Sequence, residues 1–173
     1  LTNVGIGGWG IAAATSFYPG KNLGAFGDAG AVVTCNAEVA GRVRLLANHG
    51  SRVRYVHEIA GMNSRLDTLQ ANVLDVKLAR LDAWNALRTA AAECYDRALR
   101  DLDEVILPSP ATGNHHVWHL YVVRVPRRDE VLASLHHAGV DAAIHYPTPI
   151  HRQAAFRECG LGREFPNADE AAE

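Results

Sequence analysis

The chain has 173 residues, 48% of them hydrophobic and 21% charged, with a formal net charge of −2. This composition is typical of a globular protein that can bury a core. The balanced charge contains no basic block, so it does not favour nucleic acid or an anionic membrane as a partner. No apolar run approaches the roughly 18–20 residues that span a bilayer, and no signal peptide is visible. Three widely spaced cysteines indicate reduced thiols. Together these features predict a cytoplasmic protein.

The first segment is rich in glycine. Residues 5–10 spell the pattern Gly-x-Gly-x-x-Gly that is typical of dinucleotide-binding folds. That motif requires a strand before it and a helix after it. Here the following run, residues 11–14, predicts a buried strand, and no strand precedes the glycines. We therefore interpret residues 3–10 as a loop.

The next elements alternate between strands and a helix. A second apolar run at residues 31–34 predicts another buried strand, and apolar residues three to four positions apart predict an amphipathic helix over residues 37–48. Asn36 is suited to cap this helix. Residues 52–62 read as a polar, irregular connection.

A long helical region follows. Ser64 and Asp67 resemble a capping box, and near-helical apolar spacing continues to about residue 102. This run is longer than most globular helices, so we predict a break near residues 77–80 that divides it into two helices. We interpret its apolar stripe as core packing.

The last part of the sequence predicts a small α/β unit. Strands are expected at residues 105–107, 117–125 and 141–146, with helices at 129–138 and 150–159. Asn167 and Glu170 form a capping-box pattern that begins another helix. Because the chain opens without a methionine and closes on this helix start, we expect it to be a fragment of a longer protein. The predicted division is 1–75, the end of a larger domain; 76–102, a helical connection; and 103–173, a small domain.

Lys21 occupies an unusual position. It follows a Pro-Gly turn between two predicted buried strands, and glycines recur at positions 24, 27 and 30. A lysine in such a place could form a Schiff base if its amine were partly neutral, whereas an exposed loop lysine is the commoner case. Ser16 and Asn63 offer groups that could meet a phosphate, although ordinary backbone hydrogen bonding explains both.

The histidines suggest a metal site but do not support one. On a strand, His116 and His119 would point to opposite faces, so they would not converge on one ion. No acidic residue lies among them at ligand spacing. We therefore predict no metal. His145 and Tyr146, at a predicted strand end before two prolines, are candidates for the wall of a pocket.

Several segments resemble, in order, the DegT/DnrJ/EryC1/StrS family of nucleotide-sugar aminotransferases, which depend on pyridoxal 5'-phosphate (PLP). The resemblance begins at the lysine motif, residues 16–24, and covers essentially the whole chain. Its later parts are residues 27–34, 48–50, 61–71, 116–121 and 144–147. The resemblance implies an α/β fold of fold type I PLP-dependent transferases, comprising the C-terminal part of the large domain and most of the small domain.

The resemblance also implies roles for particular residues. Lys21 matches the lysine that holds PLP as an internal aldimine, Ser16 matches a serine on the cofactor phosphate, and Asn63 matches an asparagine that reaches the phosphate of the neighbouring subunit. His145 and Tyr146 fall in a segment lining the sugar-nucleotide site, and His57 is a further candidate there. The implied reaction passes an amino group, expected to come from glutamate, to a keto-sugar nucleotide in a cytoplasmic homodimer with shared active sites.

Two alternatives remain open at this point. One is a non-catalytic PLP-fold protein used for regulation or assembly, and the other is a histidine-based metal hydrolase. In the family, the aspartate, the stacking aromatic residue and the phosphate turn of the PLP site precede the lysine. We therefore expect the 173 residues alone to be inactive.

Overall fold

The computed structural model of the chain describes residues 10–159 and 164–172, apart from the side chains of residues 157–159. Most of the predicted glycine-rich loop, residues 3–9, lies outside the described residues. The chain divides into two compact units, and the boundary falls inside a helix. Unit 1 comprises Leu1–Ala90 and Thr112–His119, and unit 2 comprises Ala91–Ala111 and Leu120–Glu173.

Unit 1 begins with a two-stranded antiparallel sheet. Strand β1, Ala13–Ser16, pairs with β2, Gly30–Val33, so that Ala13 faces Val33 and Ser16 faces Gly30. Both strands are found close to their predicted positions. The prediction that they are buried was wrong for both strands: the residues of β1 alternate between half-buried and exposed, and three of the four residues of β2 are exposed. Alternation follows from the period of two along a strand that is covered on one face.

Helix α1, Ala37–Ala47, confirms the predicted helix and its cap. The Asn36 side chain accepts hydrogen bonds from the backbone N–H groups of Glu38 and Val39, at 2.9 and 3.2 Å. The chain leaves the helix through His49 and Gly50, whose φ angles are 58° and 69°. A Cβ atom on Gly50 would lie 1.8 Å from the carbonyl oxygen of Ile59, so only glycine fits there.

The segment after α1 is more regular than predicted. Strands β3, Ser51–Val53, and β4, Val56–His57, form a short antiparallel hairpin. The prediction of an irregular connection over residues 52–62 was therefore wrong. The reversal depends on Tyr55, whose φ is 70°. Because a bulky residue seldom adopts this conformation, the sequence gives no turn signal at this point.

The predicted break in the long helical region is confirmed. Helix α2 covers Thr68–Leu78 and α3 covers Leu81–Leu99. The predicted capping box of Ser64 with Asp67 was wrong: Asp67 occupies the N-cap position and its side chain makes no capping hydrogen bond. Leu66, with φ of 59°, turns the chain just before α2 and so prevents a helix from starting at Ser64.

Unit 2 contains helices but few strand pairings. Helix α4, Arg128–His137, confirms the prediction, and Gly139 follows it with φ of 78°. The predicted helix over residues 150–159 is instead two 3₁₀ helices, Ile150–Arg152 and Ala154–Cys159, separated by Gln153 in an extended conformation. The helix expected near Asn167 is α5, Pro166–Glu170, but Phe165 occupies its N-cap position, so the predicted capping box of Asn167 with Glu170 was wrong.

The three strands predicted after residue 103 do not form. Within the described part of unit 2, the pairing that remains is one antiparallel bridge, in which Ile106 and Arg124 exchange two backbone hydrogen bonds of 2.9 and 3.0 Å. A strand needs a neighbouring ladder, and residues 141–146 find none here. The loss of the strand from residue 117 has a separate cause, which lies in the conformation of Trp118.

Among the residues that the structure describes, few apolar side chains are buried. Ala25, Leu45 and Leu74 in unit 1 and Ala92 in unit 2 are at most 8% exposed, whereas Phe26, Leu69 and Val76 are each more than 70% exposed. The apolar stripe of α2 is therefore only partly packed. Among the described residues, no helix combines the length and the apolar character needed to cross a membrane.

Tyr121 fastens the end of α3 within unit 2. Its hydroxyl donates a 2.5 Å hydrogen bond to Asp96 Oδ1, and its ring stacks on Tyr95 with the ring centres 5.0 Å apart. Burial, followed by the hydrogen bond and charge of Asp96, raises the pKa of Tyr121 to about 12. The folded state therefore holds the phenolic proton more tightly than an unfolded chain, whose tyrosine pKa is about 10.

We expect this tyrosine to make stability sensitive to alkali. Its contribution is fully present below pH about 10 and is lost as the pH rises towards about 12, because there only the folded state retains the proton. Between pH about 10 and about 12, the free energy of unfolding of Tyr121→Phe should fall less steeply with pH than that of wild type. Denaturant titrations at several pH values measure both slopes. Tyr146→Phe, at an exposed tyrosine, is the control and should leave the slope unchanged. Equal slopes in wild type and Tyr121→Phe would contradict the assignment.

Candidate functional site

Lys21 closes a tight turn directly after β1. The Lys21 N–H donates to the carbonyl oxygen of Tyr18 at 2.8 Å, which makes residues 18–21 a β-turn with Pro19 in its second position. Proline favours this position because its φ is already fixed near the required value. Gly24 then passes close to the turn: a Cβ atom there would lie 2.4 Å from the carbonyl oxygen of Pro19. The glycine is therefore required for the loop to fold back on itself.

Helix α2 anchors the loop that carries the lysine. We call residues 17–29 the lysine loop. Gln70 Oε1 accepts from the N–H groups of Phe26 and Gly27, at 2.9 and 3.0 Å, and Lys77 Nζ donates to the carbonyl oxygen of Gly24. These side chains satisfy backbone groups that no strand pairs, so they hold the loop in one conformation.

Asn22 connects the lysine loop to two other parts of unit 1. Its amide nitrogen donates to Asn85 Oδ1 at 2.8 Å, on α3, and to the carbonyl oxygen of Val117 at 2.7 Å. Both amide hydrogens are therefore used. Asn22 Oδ1 is buried and makes no hydrogen bond to the described residues. The two acceptors fix the orientation of the amide, since an exchanged oxygen would face two other oxygens.

The hydrogen bond from Asn22 to the Val117 carbonyl also bears on the strand that was predicted from residue 117 and is missing. We call residues 116–119 the Trp118 loop. Trp118 has φ of 48°, in the left-handed region, and its N–H donates to His116 Nδ1 at 2.9 Å. Arg88 Nη1, on α3, lies 3.1 Å from the carbonyl oxygen of Trp118 and 3.3 Å from that of His119. Distant side chains thus hold carbonyl groups that a strand would have paired with its neighbour.

The Trp118 loop places an imidazole beside the lysine. Lys21 Nζ lies 3.3 Å from His119 Nε2, and both residues are half-buried. A half-buried amine at the end of a tight turn is suited to react with a carbonyl group that is bound beside it. The prediction considered His119 only as a metal ligand and gave it no other role.

Ser16 lies at the end of β1, just before the turn that ends at Lys21. Its Oγ accepts from the Tyr18 N–H at 3.2 Å, and the residue is exposed. Because a hydroxyl can accept and donate at once, the O–H of Ser16 remains available to an anion. Of the predicted site residues, Ser16 and Lys21 are brought together by local structure.

Asn63 and His57 lie on the neighbouring hairpin segment. Asn63 forms an isolated antiparallel bridge with Asn48, and His57 Nδ1 is 2.9 Å from the carbonyl oxygen of His49. Both residues are exposed. In the part of the chain that the structure describes, no hydrogen bond joins either side chain to the lysine loop.

His145 and Tyr146 belong to unit 2. Their rings stack with centres 4.1 Å apart, and both side chains are exposed. An exposed pair of flat rings offers a surface for another ring to stack on. The strand expected to carry them is absent, and they lie on an irregular segment instead.

The site contains residues that reasoning from the sequence missed. Asn22, Gln70, Asn85 and Arg88 were given no role, although each has a polar contact with the lysine loop or the Trp118 loop. Asn22 and Gln70 lay within segments that carried the family resemblance, which was the available signal. Among residues 10–159 and 164–172, no three histidine, cysteine or acidic side chains gather as a metal site would require.

Comparison with known proteins identifies the family. The sequence profile of the DegT/DnrJ/EryC1/StrS aminotransferase family matches residues 2–173. The erythromycin biosynthesis sensory transduction protein EryC1 of Saccharopolyspora erythraea is 50% identical over 168 residues, 96% of this chain and 46% of the relative. The dTDP-3-amino-3,4,6-trideoxy-alpha-D-glucose transaminase of Streptomyces venezuelae is 51% identical over 151 residues, 87% of this chain and 40% of the relative.

A solved structure agrees with these matches. The crystal structure of S. venezuelae DesV in complex with a ketimine intermediate is 48% identical, with a TM-score of 0.86 over 93% of this chain and 44% of that one. The chain belongs to the DegT/DnrJ/EryC1/StrS aminotransferase family, and the predicted fold class, fold type I of the PLP-dependent transferases, is confirmed. The chain spans a little under half the length of these relatives.

Replacing Asn22 by aspartate should destabilise the site strongly. The carboxylate would place an acceptor against Asn85 Oδ1 and the Val117 carbonyl, in positions where hydrogen bonds of 2.8 and 2.7 Å now form. We expect a loss of about 1–3 kcal/mol in the free energy of unfolding, measured by urea titration. Asn114→Asp, at an exposed residue of the same unit, is the matched control. A change no larger than that of the control would mean that the Asn22 amide does not join these elements.

Proposed function

We propose that this member of the DegT/DnrJ/EryC1/StrS family is part of a cytoplasmic, PLP-dependent aminotransferase that converts a keto-sugar nucleotide into an amino-sugar nucleotide. The observation that carries the proposal is the position of Lys21: a half-buried amine on a rigid turn, fixed by a hydrogen-bonded neighbour. The similarity of the chain to a transaminase of a dTDP-linked amino sugar supports a sugar nucleotide as the substrate class. The further parts of the proposal are glutamate as donor and a homodimer with shared sites.

The residues present fit two parts of PLP. The Lys21 amine is the group that would hold the aldehyde carbon of the cofactor, and the available O–H of Ser16 would donate to its phosphate. Asn63 of the partner subunit would reach the same phosphate, and its exposure is compatible with contact across an interface. When bound, PLP supplies an electron sink for the chemistry at the donor carbon.

Lys21 also has a second task in this proposal. With PLP and the amino donor bound, the free Nζ atom would be the base that takes up a proton from the donor carbon and returns it to the carbon on the far side of the amino nitrogen. A lysine held at the end of a tight turn can do this without reorienting the backbone. The surrounding polar side chains keep the lysine loop fixed during the exchange.

The remaining proposed residues concern the sugar nucleotide. The stacked rings of His145 and Tyr146 would line its site, and His57 would approach the substrate from the hairpin. We further propose that residues 1–75 are the last part of the cofactor-binding domain. Residues 76–102 would connect it to the small domain, to which residues 103–173 belong.

A regulatory role is the second candidate, since one of the similar proteins carries a sensory name. A protein that only assembles would not need a fixed reactive amine. The position of Lys21 therefore favours an enzyme.

Lys21→Arg should abolish covalent capture of the cofactor. The 173 residues contain two lysines, Lys21 and Lys77. Lys77→Arg provides the matched control, since arginine keeps the charge and a donor for the Gly24 carbonyl. The intact protein would be treated with PLP and borohydride, then digested and analysed by mass spectrometry. We expect the label on the Lys21 peptide in wild type and in Lys77→Arg, and no label in Lys21→Arg. A label that persists in Lys21→Arg would refute the assignment.

Turnover separates the enzyme from the regulator. The intact protein with glutamate should aminate a dTDP- or UDP-linked keto-sugar, and Lys21→Arg should lower kcat by about 10²–10⁴-fold, the range attributed to a general base. The measurement is product formation by chromatography over a panel of keto-sugar nucleotides and amino donors. Covalent PLP binding without amination of any panel member would favour the regulatory role.

A further inference from the structure

We propose that His119 is a positioning residue that holds the Lys21 amine in place before the cofactor binds. The inference rests on the proposed role of Lys21. It begins with the 3.3 Å separation of Lys21 Nζ and His119 Nε2, between residues that are 98 positions apart in the sequence. Neither local turn geometry nor helix periodicity brings such a pair together.

The protonation state of the lysine decides the direction of the hydrogen bond. A lysine ammonium carries three donors and no acceptor. His119 Nε2 must therefore accept from it, which places the proton of the neutral imidazole on Nδ1. If the amine gives up its proton, Nε2–H can donate to the nitrogen instead. In both states the imidazole holds the lysine nitrogen at one point.

The backbone around His119 is built to keep the imidazole there. Arg88 contacts the carbonyl oxygens of Trp118 and His119, and Asn22 binds that of Val117. A left-handed tryptophan is unfavourable and persists only where its surroundings determine it. Asn22 adjoins Lys21 in the sequence, so one side chain ties the lysine loop to the loop that presents His119.

This arrangement leads to a testable property of the free amine. Before Nζ can attack an electrophilic reagent from solution it must leave His119, and that costs about one hydrogen bond. Lys77 lies outside this contact: its Nζ donates to the Gly24 carbonyl and faces the Phe26 ring at 5.5 Å. The ratio of labelling at Lys21 to labelling at Lys77 therefore reports the His119 contact within one molecule.

The experiment uses the intact protein freed of PLP and briefly exposed to acetic anhydride, with both lysine peptides quantified by mass spectrometry. We expect His119→Leu to raise the Lys21 to Lys77 ratio roughly two- to tenfold. His119→Gln, whose side-chain oxygen can accept at a similar reach, should stay within about twofold of wild type. This rescue separates a positioning role from simple packing, since leucine fills similar space without an acceptor.

Arg88→Met tests the backbone support. It should raise the ratio in the wild-type background and add nothing in the His119→Leu background, because both changes release the same contact. An unchanged or lowered ratio in His119→Leu, equal behaviour of the Leu and Gln variants, or additive effects with Arg88→Met would overturn the proposal. Protection of Lys21 by added PLP tests the proposed function separately. One outcome is that PLP fails to protect Lys21 while His119→Leu still raises the labelling ratio and Arg88→Met adds nothing to it. In that case the proposed function is wrong and the His119 contact stands.

Discussion

The amide of Asn22 is the contact on which the site of unit 1 depends. With its two donated hydrogens it joins the lysine loop, helix α3 and the Trp118 loop. Without it, the Val117 carbonyl would lose this donor, and the link from the lysine loop to the Val117 carbonyl would be lost while the contacts from Arg88 remain. The turn of Lys21 is set locally by Pro19 and Gly24. The surroundings of the Lys21 amine depend on the Asn22 side chain and on Asn85 and Arg88 of α3.

Local signals in the sequence predicted a good part of the fold. The Asn36 cap, the helix break after α2 and the start of α4 each depend on a few adjacent residues, and each was predicted. The strand expected from Val117 failed for the opposite reason. Its run of apolar and β-branched residues is real, but Asn22 and Arg88 bind the carbonyl groups at its start from far along the chain. Periodicity alone cannot register such competition.

The residues of the candidate site also divide into those that local signals predict and those that distant contacts determine. Lys21 and Ser16 could be found because a Pro-Gly turn and a family motif mark them. His119 could not be assigned its place, because the contact depends on Trp118 adopting φ of 48°. A bulky aromatic residue gives no sign of this conformation in a sequence. The hairpin reversal at Tyr55, with φ of 70°, was missed for the same reason.

The separation of the contacting residues also has a kinetic consequence. Asn22 and Val117 are 95 positions apart, and Lys21 and His119 are 98 apart. Closing a loop of this length carries an entropic cost that local helices such as α1 never meet. Contacts of long sequence separation also slow folding. The helices and the lysine turn should therefore form early, and the amine should gain its imidazole neighbour only in the last stages of folding.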